Sequence, residues 1–112
     1  MARFGLLLTD TKKGATIITL EESSILAHRW SGKPFTKAYQ IGHKGNGWYY
    51  VYGLTKTLEL FEQYGGHRKV ATLNVRNYPF KLNSKGTGKF FGPNGELTTG
   101  IIQWKCVSKY AS

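Results

Sequence analysis

The sequence predicts an α+β domain: a small, mostly antiparallel β-sheet, or a partly open barrel, carrying one or two short helices. Three observations lead there. Short β-branched and aromatic runs recur between Gly-, Lys- and Asn-rich turns. Two stretches carry the end signals of helices. The length, 112 residues, suits a single domain spanning the whole chain, and 40% hydrophobic content is enough for one core.

The elements follow in order. Residues 3–9 form a short apolar strand, and Asp10-Thr11-Lys12-Lys13-Gly14 has hairpin chemistry, with Gly14 free to take positive φ. Residues 15–19 return as a β-branched strand. Residues 20–31 read best as a helix, with a strand through 25–30 as the alternative. Thr19 and Glu22 suit a capping box, His28 and Arg29 suit the last turn, and Gly32 and Pro34 end it.

Residues 35–42 alternate as a strand, residues 43–47 make a turn, and residues 48–53 form an aromatic strand. Residues 55–64 read as the second helix, with Leu54, Leu58 and Phe61 on its apolar side and Gly65-Gly66 after it. Residues 68–77 are a strand ended by a bend at Pro79, which residues 80–82 could extend. Residues 83–95 read as a long Gly/Lys loop. Residues 99–110 close the chain as a strand with Ile102, Trp104 and Cys106 on one face and Gln103, Lys105 and Lys109 on the other.

Charge is the unusual quantity. Sixteen Lys and Arg oppose six Asp and Glu, a net charge of +10. A compact chain repels itself at such a charge, and an anionic partner is the usual compensation. Glu21, Glu22, Glu59 and Glu62 fall in the two expected helices, and no acid lies between Glu62 and Glu96. The expected picture is acidic helices behind basic strands and loops.

Two segments combine cations with aromatics. In residues 45–52, strand periodicity sets Trp48, Tyr50 and Tyr52 on one face and Tyr49 and Val51 on the other. Aromatics on a sheet flanked by Lys and Arg can stack unpaired bases. The loop Lys85-Gly86-Thr87-Gly88-Lys89-Phe90-Phe91-Gly92 could bring backbone amides and lysines to phosphate, but it lacks Walker spacing. A third basic, aromatic turn begins at Ser31-Gly32-Lys33-Pro34-Phe35 and continues through Lys37 and Tyr39. The expected phosphate contacts are Lys44, Lys56, Arg68, Lys69, Arg76, Lys81, Lys85 and Lys89. The expected stacking pool is Trp48, Tyr50, Tyr52, Phe90 and Phe91.

These features point to a non-enzymatic nucleic-acid-binding protein, with single-stranded DNA or RNA favoured over duplex, because neither expected helix is basic enough for a major groove. One alternative is a viral or mobile-element accessory protein whose charge meets an acidic protein surface and inhibits a host protein. Another is a small metal-independent ribonuclease or toxin built on His67, Arg68 and Lys69 with Glu62 or Glu96. No catalytic residue, cofactor or metal site is assigned. A lone Cys106 excludes an internal disulfide and a cysteine-rich zinc site. No apolar run approaches membrane-spanning length, and no leader pattern is evident, so a cytoplasmic protein with no membrane partner is expected.

Overall fold

The computed structural model describes residues 2–10, 14–22, 28–32, 45–62, 68–92, 97 and 101–111. Eight antiparallel strands follow one another around a closed barrel, each bonded to its neighbour in sequence, with the last returning to the first. They are β1 (Ala2–Asp10), β2 (Gly14–Glu22), β3 (His28–Gly32), β4 (Asn46–Tyr52), β5 (Thr57–Glu62), β6 (Lys69–Asn74), β7 (Lys85–Phe90) and β8 (Ile102–Ala111).

No helix occurs among the described residues, which overturns the α+β expectation while keeping its barrel alternative in closed form. The capping pattern at Thr19 and Glu22 is local chemistry, whereas β2 continues in register to Glu22, opposite Ala2 on β1. The other end of that expected helix is strand as well, since Arg29 and Trp30 pair with Glu21 and Leu20. The second expected helix is β5. Leu58, Leu60 and Glu62 are buried while Thr57, Glu59 and Phe61 face outward, a period of two that only a strand supports. Long-range ladder partners on both sides outweigh helix-end signals a few residues long.

The expected Gly/Lys loop is also a strand in its first half, β7. Its inward positions are Gly86, Gly88 and Phe90, so no apolar alternation announces it. A Cβ on Gly86 would lie 2.6 Å from Trp104 Nε1 and one on Gly88 would lie 2.7 Å from Leu73 Cδ2. The neighbouring strands fill the space that β7 leaves empty. Residues 80–82 do not extend β6, and the expected strand at 35–42 lies outside the described residues.

An eight-stranded barrel has a lumen just wide enough for side chains. Here Phe4, Leu6, Leu8, Ile18, Leu20, Trp30, Tyr49, Leu58, Leu60, Val70, Leu73, Phe90, Ile102, Trp104 and Cys106 fill it. The Ile102, Trp104 and Cys106 face of β8 is inward, as its alternation predicts. The segment between β6 and β7 closes one end as a plug. Val75 and Phe80 are buried, and a cis Tyr78–Pro79 bond lies between them. Phe80 meets Phe4, Tyr78 and Trp104 edge-on, with centroids 5.3, 5.4 and 5.1 Å away.

The far end of β5 is held by a clasp. Arg68 donates from Nε to Glu62 Oε2 over 2.7 Å and from Nη1 to Gly92 O over 2.8 Å. Glu62 is 2% exposed, so its charge depends on that guanidinium. An apolar lumen within a wall carrying lysines is the reverse of an outer-membrane barrel, which turns its apolar residues to lipid. Among the described residues no helix is long and apolar enough to cross a membrane.

Candidate nucleic-acid interface

Residues directly opposite one another on antiparallel strands share a face. The registers therefore map the outer wall row by row. Arg29 on β3 faces Trp48 on β4, Trp48 faces Phe61 on β5, and Phe61 faces Lys69 on β6. One row thus reads cation, aromatic, aromatic, cation. The Trp48 and Phe61 rings lie nearly parallel, with centroids 6.3 Å apart and planes at 12°. Lys69 Nζ continues the row toward the Phe91 ring, 5.4 Å from its centroid.

The next row holds Tyr50, Glu59, Thr72 and Lys89. Tyr50 meets Phe61 edge-on at 5.7 Å and approaches Tyr52 at 6.4 Å. Tyr50 and Tyr52 remain exposed, while Trp48, Phe61 and Phe91 are half-buried, so aromatic surface stays open to solvent. Glu59, the one acid on this face of β4–β6, pairs with Lys69 and so does not leave a free negative charge beside the tyrosines.

The expected site residues divide as follows. Trp48, Tyr50 and Tyr52 lie together on the outer wall, as strand periodicity predicts. Phe90 is 2% exposed and belongs to the lumen, which removes it from the stacking pool; Phe91 alone of that pair reaches the outer wall. Arg68 is committed to the clasp, and Lys69 to Glu59. Lys56 sits exposed at positive φ in the turn joining β4 and β5. Arg76 and Lys81 are exposed on the plug segment, and Lys85 and Lys89 on β7. Lys44 lies outside the described residues, as do His67 and Glu96 of the ribonuclease alternative, whose other acid, Glu62, is locked under Arg68. The turn at residues 33–39 also lies outside them.

The acids correct the expected charge picture in one respect. Glu21 pairs with Arg3 at 3.7 Å, Glu59 with Lys69, and Glu62 with Arg68. They sit on strands and neutralise cations beside them, rather than forming an acidic helical back. Sequence reasoning missed Phe61 and Arg29 because both fell within expected helices. The alternation Leu58, Leu60 against Glu59, Phe61 was the available signal. Among the described residues no group of three His, Cys, Asp or Glu is placed to hold a metal ion.

No family model, curated protein or solved structure matches this chain.

Proposed function

We propose that this barrel binds single-stranded nucleic acid on the outer wall of β3–β6. The observation that carries the reading is the row Arg29, Trp48, Phe61, Lys69, with Tyr50, Tyr52 and Lys89 beside it. Bases offer a flat face to aromatic rings whatever their sequence, and each stacked base contributes about 1–3 kcal/mol. Phosphates would meet Arg29, Lys56 and Lys89, and the charge of +10 draws any polyanion toward the wall. Open aromatic area of this kind suits bases better than it suits the smooth backbone of a duplex. Binding on this face makes no demand on the chain for catalysis.

The test is tryptophan quenching with a generic single-stranded oligonucleotide over a range of salt. Quenching that disappears in Trp48→Phe, with affinity falling steeply as salt rises, supports the reading. The combined Arg29→Ala and Lys89→Ala change should flatten the salt slope by about 1.4. Salt-insensitive binding, or equal quenching by polyglutamate, would sink it and favour an acidic protein partner.

A further inference from the structure

The strongest unassigned feature lies farther around the barrel, along β7, β8 and β1. There Lys85 stands directly opposite Lys105, and Lys105 opposite Leu7. Like charges placed opposite each other on adjacent strands repel. Their own strands bring no carboxylate, because β7 and β8 contain no Asp or Glu, and the one acid of β1, Asp10, lies at its end, beyond Leu7 and Thr9.

Next along the strands comes a row of hydrogen-bonding groups. Thr87 faces Gln103, and Gln103 faces Thr9. Two residues along a strand separate the rows, roughly 7 Å. Between them runs an open groove of about 510 Å³, lined also by Leu7, Gly86 and Trp104. At Gly86 the missing side chain lets Trp104 pack closely against β7 from the lumen. The volume falls in the range of small-ligand sites, and so does the pattern of an apolar lining with few convergent polar groups.

We infer that this groove binds a mononucleotide unit, a phosphate monoester carrying a flat heterocycle. The paired ammonium groups of Lys85 and Lys105 hold the phosphate, so that the ligand removes the repulsion between them. The heterocycle lies over Leu7 and the Gly86 backbone, and its polar rim meets Thr87, Gln103 and Thr9. Asn74 Nδ2 donates to Thr87 Oγ1 over 3.1 Å, which fixes the hydroxyl while leaving its proton free to donate to the ligand. The groove is separate from the aromatic wall of β3–β6 and stands whether or not that wall binds nucleic acid. Its natural source is either a free nucleotide or the phosphorylated end of a strand.

The experiment is an amide-resolved NMR titration of the intact protein with AMP, adenosine and ribose 5-phosphate. AMP should give saturable shifts at Thr9, Thr87, Gln103 and Lys105. Adenosine and ribose 5-phosphate should each bind at least about tenfold more weakly, the loss of roughly 1.4 kcal/mol or more. Lys85→Gln and Lys105→Gln, both at exposed positions, should each weaken AMP about tenfold with the remaining spectrum unchanged. Thr87→Glu, which puts a carboxylate in the groove, should abolish the shifts.

Non-saturating shifts, shifts spread over Lys56, Lys81 and Lys89 alike, or indifference to both lysine changes would overturn the inference. Comparison of an oligonucleotide with and without a 5′-phosphate assigns the source. Groove shifts that need that phosphate identify a strand end, and groove shifts from AMP alone identify a free nucleotide. Because Trp48 quenching reads the other wall, failure here and failure there are distinguishable.

Discussion

Trp30 donates its indole N–H to the carbonyl oxygen of Phe61 over 2.8 Å, reaching across β4 from inside the barrel. The indole reaches that carbonyl because Gly47 lies between: a Cβ there would collide with Phe61 O and sit 2.8 Å from Trp30 Nε1. The outward ring of Phe61 is thus anchored, through its own backbone, to a lumen tryptophan. Gly47→Ala should destabilise the fold by about 1–3 kcal/mol through forced displacement of β5. Trp30→Phe should cost a similar amount, mostly by leaving that carbonyl without its donor. Urea melts of both variants check this, and an unchanged midpoint for Gly47→Ala would refute the close-approach account.

The plug gives a contrast within one segment. Phe80 is fully buried among Phe4, Tyr78 and Trp104, whereas Leu82, two residues on, is 56% exposed. Phe80→Ala should cost about 3–5 kcal/mol, since the rigid wall cannot collapse into the vacated space. Leu82→Ala should stay within about 0.5 kcal/mol of the parent. Equal losses from thermal melts of the two variants would show that the plug does not seal the lumen.

Tyrosine ionisation supplies a pH prediction. The Tyr49 and Tyr78 hydroxyls lie 3.0 Å apart at the plugged end, with His28 stacked on Tyr49 at 5.0 Å. Burial pushes the Tyr49 hydroxyl up to about 12, and burial followed by the Tyr49 hydrogen bond also pushes Tyr78 well above its ordinary value of 10.0. Above pH 10 the unfolded chain sheds these protons while the folded chain keeps them, so stability falls as pH rises. The contribution of Tyr49 is fully present below pH 10 and is lost as pH climbs through about 12. Tyrosinate absorbance should show that Tyr49 and Tyr78 ionise late in the native protein, and Tyr49→Phe should flatten the alkaline loss of stability.

Cys106 offers a probe of barrel opening. Its side chain is fully buried, Sγ donates to Ser108 O over 3.4 Å, and burial raises its pKa. A thiol reagent needs the exposed thiolate, so native protein should label only as fast as the barrel opens, and denatured protein at once. Rapid labelling at neutral pH in native buffer would contradict the closed β8–β1 seam.

How much of this was legible in the sequence depends on where each strand keeps its pattern. In β4, Trp48, Tyr50 and Tyr52 alternate with Tyr49, and both faces were correctly separated. In β8, Ile102, Trp104 and Cys106 identified the lumen directly. In β7 the inward side chains of two positions are absent, and their space is filled by Trp104 and Leu73 from other strands, so the pattern sits elsewhere in the chain. In β5 an inward acid, Glu62, broke the apolar alternation. Its burial is explained by Arg68, six residues away, and became readable only once the clasp was seen. Short-range capping signals at Thr19 and Glu22 then misled, because pairing with β1 is set by residues near the start of the chain.

Closure of the wall limits the ways in which a partner could be gripped. Among the described residues each of the eight strands is bonded to a neighbour on both sides, which leaves a foreign strand little edge to add itself to. Along the described strands recognition falls to outward side chains, and these alternate with the ones that hold the lumen together. The two duties are written on different letters of the same strands. Outward letters such as Tyr50, Lys89 or Lys105 can be exchanged to retune what the surface accepts while the inward letters go on specifying the barrel.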